Sequence, residues 1–123
     1  MARHNELGTW GEQLAVDKLV EEGFSIVDQN WHLGHLEIDI IARKDEIVVF
    51  AEVKTRAEKD VDPLEAVDSR KIAHMVRAAD TYLKSKDWPY QVRFDLFAIN
   101  GTPDDYTLEH IPDAFYPPLR TYR

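Results

Sequence analysis

The chain has 123 residues, 44% of them hydrophobic and 31% charged, a composition typical of a globular protein with one hydrophobic core and not of a disordered segment. It has no cysteine, which excludes disulfides and thiolate zinc sites, and no apolar run near the roughly 20 residues that cross a bilayer. The net charge of −8 by itself argues against nucleic acid as a partner, although residues 53–86 carry eight basic side chains and only six acidic ones.

The first half of the chain predicts one helix followed by three strands. Thr9 has the position of an N-cap, with Glu12 three residues later as in a capping box, and the helix runs to about Glu22. The three strands are predicted over residues 24–31, 35–42 and 46–54. The connection between the last two is short and polar, so we expect them to form a hairpin.

The second half predicts a long amphipathic helix and two further strands. The helix has Pro63 in its first turn and ends before Trp88 and Pro89. The strands are predicted over residues 91–99 and 106–111.

The element order is therefore α-β-β-β-α-β-β, which predicts an α/β fold with a mixed central sheet flanked by helices. We expect one domain over residues 1–123, with its core at about 8–111 and an irregular tail at 112–123. The N-terminus lacks the apolar segment of a signal peptide, so a cytoplasmic location is expected.

Four charged side chains interrupt the ends of two apolar strands. Side chains two apart in a strand share a face, so Glu37 and Asp39 point the same way from the second strand. Glu52 and Lys54 do the same from the third strand. A hairpin turned at residues 44–45 would make Asp39 and Glu52 diagonal neighbours. We therefore expect the four groups to cluster on one face at one end of the sheet.

Glu12 adds a further carboxylate from the first helix. It falls within the arc of the helix's apolar stripe, which contains Ala15, Val16, Leu19 and Val20. A glutamate inside that arc points toward the sheet and not toward water. The capping box with Thr9 is the alternative interpretation of the same residue.

Carboxylates this close repel one another, and a divalent cation bound by oxygen ligands removes the conflict. Mg²⁺ takes one or two carboxylates, keeps several waters, and activates water or phosphate for hydrolysis. Lys54 is then placed to stabilise charge on the phosphate or to hold the attacking water. The alternative is a set of strand-end ion pairs, for example between Lys54 and Glu52 or Asp39.

The ordered motifs of the chain resemble the YraN-like family of predicted endonucleases. This family lies in the PD-(D/E)xK superfamily and is similar to archaeal Holliday junction resolvases. Glu37-Ile38-Asp39 and Glu52-Val53-Lys54 carry the superfamily pattern. The wider series comprises GEQLAVDKLVEEGF (11–24), NW (30–31), EIDIIA (37–42), VFAEVKTR (49–56), PLEAVDSRK (63–71), AADTYL (78–83) and VRFDL (92–96).

The resemblance implies a restriction-endonuclease-like αβββαβ core and Mg²⁺- or Mn²⁺-dependent hydrolysis of phosphodiester bonds in DNA, including structured or branched DNA. Asp39 and Glu52 match the metal ligands, and Lys54 matches the catalytic lysine. Glu12 matches the helix-one acid of resolvase-like members, a further metal ligand, and Glu37 assists. Resolvase-like relatives act as dimers, so a homodimer is also implied.

Basic side chains beside these motifs are candidates for DNA contacts. Thr55 and Arg56 follow Lys54 directly and are placed to meet a phosphate backbone. Arg70 and Arg77 lie seven residues apart on the polar face of the second helix. Lys71, at the border of that helix's apolar face, has the length to reach toward the acids. The alternative for the helix residues is an ordinary solvated face.

Two other functions remain open on the sequence. One is a non-catalytic nucleic-acid-binding or adaptor module that keeps the nuclease fold, which the acidic net charge favours. The other is a structural protein with a salt-bridged strand end, which the co-located acids disfavour.

Overall fold

The structure is a computed structural model that describes residues 5–60, 62, 68–86 and 91–114. Its elements are α1 (Asn5–Glu21), β1 (Ser25–Leu33), β2 (Leu36–Lys44), β3 (Ile47–Arg56), α2 (Ser69–Lys86), β4 (Gln91–Thr102) and β5 (Asp105–Ile111). This order confirms the predicted fold class and contains the αβββαβ core that the resemblance implies. The predicted first turn at Pro63, the helix end at Trp88 and Pro89, and the tail beyond residue 114 lie outside the described residues.

The five strands form one mixed sheet in the spatial order β1-β2-β3-β4-β5. The pairs β1–β2, β2–β3 and β4–β5 are antiparallel, whereas β3 and β4 are parallel. A parallel pair needs a crossover connection, and the segment that contains α2 supplies it.

The two helices cover opposite faces of the sheet. Successive residues of β3 alternate between the faces, so Val49 packs in the cluster beneath α1 and Phe50 in the cluster beneath α2. The α1 residues Ala15 and Leu19 are buried in the first cluster, and the α2 residues Met75, Ala78, Ala79 and Tyr82 in the second. Because β3 is covered on both sides, its first half is an unbroken apolar run. Neither helix within the described ranges is long and apolar enough to cross a membrane.

The start of α1 differs from the prediction. The helix begins at Asn5, so Thr9 lies within it and is not an N-cap. Trp10 and Leu14, four residues apart within the helix, both pack against the core. The capping-box interpretation of Glu12 is therefore wrong.

The hairpin between β2 and β3 turns one residue later than predicted, at Asp45 and Glu46 with Lys44 paired to Ile47. Asp45 has a φ of 54°, a left-handed conformation that aspartate tolerates better than most residues do. The pairing shifts by two residues, and a shift by an even number does not by itself move side chains to the other face. It brings Asp39 level with Glu52 instead of diagonal to it, just beyond the last regular pair, Ile40 and Ala51.

Candidate active site

An open cleft of about 500 Å³ lies where α1 passes over β2 and β3. Its lining residues come from these three elements and β1: Leu7, Gly8, Thr9, Glu12, Asn30, Glu37, Asp39, Val53, Lys54 and Thr55. The cleft thus brings together three predicted acids, the predicted catalytic lysine and one predicted DNA contact.

Asp39 is the most constrained of the acids. Its Oδ2 accepts a hydrogen bond of 2.8 Å from the backbone N–H of Val53, which ties β2 to β3 beyond the end of their ladder. Burial and the negative charge of Glu52 raise the pKa of Asp39 to about 8, with smaller contributions from Glu12 and Glu37. The Val53 hydrogen bond opposes this shift without cancelling it. In the metal-free protein this carboxyl therefore holds a proton at neutral pH.

Glu12 faces the same acids from α1. Its Oε1 accepts a hydrogen bond of 3.2 Å from the side-chain amide of Asn30 in β1. Burial raises the pKa of Glu12 above its usual range, as do the charges of Glu37 and Glu52, while the Asn30 hydrogen bond acts in the opposite direction. The predicted inward orientation of Glu12 is thus what the structure has.

Glu52 lies beside the cleft and is paired with a cation from α2. Its Oε2 is 3.0 Å from the Nζ of Lys71, and its side chain is 13% exposed. Burial lowers the pKa of Lys71, but the charge and hydrogen bond of Glu52 outweigh this and raise it overall. Asp68 caps α2 by accepting a hydrogen bond of 2.8 Å from the backbone N–H of Lys71, which fixes the turn that carries this lysine.

The remaining predicted residues are placed as follows. Lys54 is exposed at the cleft, and Thr55 beside it packs closely on α1, since a Cβ atom added at Gly11 would overlap the Thr55 side chain. Arg56 is partly buried, and Arg70 and Arg77 are exposed on α2, but none of these three lines the cleft. Their roles as DNA contacts stay predictions.

The donor set fits a hard divalent cation. After burial, the charges of Glu52, Glu12 and Glu37 raise the pKa of Asp39, which shows that the four carboxylates are close together. Carboxylate oxygens are the ligands that Mg²⁺ and Mn²⁺ prefer. Within residues 5–60, 62, 68–86 and 91–114, no three acidic or histidine side chains already stand at metal-binding distances. Glu52 is held by Lys71 instead, so its predicted role as a ligand stays a prediction.

Sequence reasoning missed three residues that shape this site: Asn30, Gly11 and Asp68. Asn30 and Gly11 lie within the motif segments NW and GEQLAV, which was the available signal. Their partners, Glu12 and Thr55, are 18 and 44 positions away in the chain, so no local pattern could pair them. Asp68 carries an ordinary N-cap signal that the expected start at Pro63 obscured.

Comparison with known proteins identifies the chain's relatives. The model of a family described as "Uncharacterised protein family UPF0102" matches residues 11–99. UPF0102 proteins of Bacteroides thetaiotaomicron and Bacteroides fragilis are 48% and 45% identical, each over 97% of this chain and 99% of the relative. A UPF0102 protein of Flavobacterium psychrophilum is 43% identical over 94% of this chain and 98% of its own length. Among solved structures, Archaeoglobus fulgidus Hjc, a Holliday junction resolvase, is 16% identical with a TM-score of 0.49, covering 86% of this chain and 77% of that chain.

Proposed function

The chain belongs to the UPF0102 (YraN) family, and we propose that it is a divalent-metal-dependent nuclease that hydrolyses phosphodiester bonds of DNA. The single observation that carries the proposal is the meeting of four carboxylates from α1, β2 and β3 beside an exposed lysine. Burial and the repulsion among these carboxylates raise the pKa of Asp39 to about 8. A strand end with only a structural role would not gain stability from four neighbouring carboxylates, because each charge disfavours ionisation of the others.

Asp39, Glu52 and Glu12 are the residues that would hold Mg²⁺ or Mn²⁺. When bound, the ion polarises a phosphoryl oxygen and lowers the pKa of a water molecule. Their carboxylate oxygens would supply the negative charge that binds the ion in the cleft. Glu37, at the exposed rim of the same cleft, adds negative charge that strengthens cation binding.

Lys54 supplies the positive charge that phosphodiester hydrolysis needs on the substrate side. Its side chain lines the cleft two residues beyond Glu52, and it has no acidic partner within 4.0 Å in the described part of the chain. An ammonium in that position stabilises charge that develops on the phosphate or orients the attacking water.

DNA binding would rest on a small set of basic contacts. Thr55 and Arg56 continue β3 beyond Lys54. In α2, Arg70 and Arg77 lie on the polar face, and Lys71 lies at the border of the apolar face. The protein carries a net charge of −8, which opposes binding to a polyanion. We therefore expect weak binding that falls steeply with salt, by about one power of the salt concentration for each phosphate contact.

A second candidate is a nucleic-acid-binding module of the same fold without turnover. The ion pair between Lys71 and Glu52 favours it, because that pair already neutralises one predicted metal ligand. Both candidates predict DNA binding, and only the nuclease predicts metal-dependent cleavage.

The test is cleavage of a panel of linear, flapped and four-way-junction DNA with Mn²⁺ or Mg²⁺ and with EDTA. The junction is included because the YraN-like family, which the motif series resembles, is itself similar to archaeal Holliday junction resolvases. Asp39→Asn and Lys54→Ala should abolish cutting, whereas Lys59→Ala, which removes a surface partner of Asp105, should not. Absence of metal-dependent cutting on every substrate, with DNA still bound, would favour the binding module.

A further inference from the structure

Asn30 has a backbone conformation that is unusual for its place in the fold. It lies inside β1, yet its φ is 52°, in the left-handed region. Residues of a strand normally have strongly negative φ, and a left-handed residue bends the strand locally. Asparagine and glycine adopt this conformation at lower cost than other residues do.

The strand ladder is interrupted at the same level. Gln29 pairs with Ile40 and Trp31 with Ile38, while Asn30 and Asp39 between them are not partners. Ile38 packs beneath α2 and Ile40 beneath α1, although residues two apart in a regular strand share a face. The alternation of β2 therefore reverses at Asp39, directly across from Asn30.

The side chain of Asn30 acts on a second acid of the cleft. Its amide nitrogen donates a hydrogen bond of 3.2 Å to Glu12, and Asn30 itself lines the cleft. A neutral donor fixes the direction of a carboxylate and leaves its negative charge in place. A lysine or arginine at this position would instead form an ion pair with Glu12 and compete with a metal ion.

We propose that Asn30 is a positioning residue of the metal site: its left-handed backbone accompanies the reversal that turns Asp39 into the cleft, and its amide orients Glu12 as a ligand. This inference rests on the proposed function. Glycine satisfies the backbone requirement but lacks the amide, and aspartate has the right length but repels Glu12. Asparagine meets both requirements at once.

Titration calorimetry of the full chain with Mn²⁺, without DNA, tests this inference. Asn30→Gly keeps the left-handed conformation accessible, so this variant should melt near the temperature of the unmodified protein. It should nevertheless bind Mn²⁺ about 10–100-fold more weakly, which is the usual loss when a partner that orients a metal ligand is removed. Asn30→Ala should in addition lower the melting temperature. Asp45→Gly removes a polar side chain at another positive φ, in the β2–β3 turn, and should bind Mn²⁺ normally.

A double-mutant cycle with Glu12→Gln isolates the amide contact. If Asn30 acts through Glu12, Asn30→Gly should cost far less Mn²⁺ affinity in the Glu12→Gln background than alone. Equal losses in both backgrounds, or unchanged Mn²⁺ affinity in Asn30→Gly, would overturn the inference and leave the proposed function standing. No Mn²⁺ binding by the unmodified chain would overturn the proposed function and this inference with it.

Discussion

Replacing Asp39 by asparagine should stabilise the metal-free protein at neutral pH while it abolishes cleavage. The carboxyl of Asp39 has a pKa of about 8 in the folded protein against its ordinary 3.8, so the folded state binds this proton more tightly than the unfolded state does. A raised pKa contributes stability that is fully present below the unfolded value and is lost as the pH rises through the folded one. Asparagine is neutral throughout and can still accept the Val53 hydrogen bond.

The magnitude follows from the width of that pH window. A pH of 7 is about three units above the pKa of Asp39 in the unfolded chain. At ~1.4 kcal/mol per unit, the stability lost between that pKa and pH 7 amounts to about 4 kcal/mol. Asp39 is only partly buried, so water entry and relaxation reduce the cost. We expect Asp39→Asn to raise the free energy of unfolding by about 2–4 kcal/mol at pH 7–8 and by much less near pH 4.

The assay is urea denaturation in EDTA at several values between pH 4 and pH 8.5. The stability difference between Asp39→Asn and the unmodified protein should widen as the pH rises, whereas Asp105→Asn, at an exposed carboxyl, should show no such trend. Saturating Mn²⁺ should reverse the order, because only the unmodified site binds it tightly. A difference that is constant with pH, or an asparagine variant that is less stable at pH 8, would refute the reasoning.

Three further predictions test the other contacts of the cleft. Mn²⁺ binding at pH 7 should displace about one proton from Asp39, and at pH 9 it should displace far fewer. Calorimetry in buffers of different ionisation enthalpy measures this proton release. A binding enthalpy that does not depend on the buffer at pH 7 would contradict the raised pKa of Asp39. Lys71→Met should increase Mn²⁺ affinity severalfold, because it frees Glu52, and it should weaken DNA binding. A loss of both affinities would show instead that the ion pair holds the site together. Gly11→Ala should destabilise the protein by about 1–3 kcal/mol, because the added methyl group overlaps the Thr55 side chain. In thermal denaturation, adding Thr55→Gly to this variant should recover most of the lost stability. Absence of that recovery would show that the helix shifts away from Thr55 instead.

Much of the architecture was predictable because it depends on local periodicity. The continuous apolar run of β3 indicated a strand covered on both faces, and a glutamate within the apolar stripe of α1 indicated that Glu12 points inward. The resemblance of the motif series to the YraN-like family is confirmed by the relatives. The catalytic and metal-binding roles of Asp39, Glu52, Lys54, Glu12 and Glu37 stay predictions.

The errors and omissions concern residues whose environment is set by distant parts of the chain. The hairpin register depends on which turn conformation Asp45 adopts and on how both strands pack against the helices. The Asn30 hydrogen bond and the Lys71 ion pair each join elements that have no sequence relation. No periodicity within one element encodes such partners.

The sequence by itself determined the order of helices and strands and the set of acids that meet, because these follow largely from spacings of two and 3.6 residues. Only the tertiary structure decided how those acids meet: Asp39 accepts a hydrogen bond from Val53, Glu12 accepts one from Asn30, and Glu52 forms an ion pair with Lys71. The physical reason is that pKa values, ion pairs and ligand directions depend on burial and on distances of a few ångströms between residues far apart in the chain.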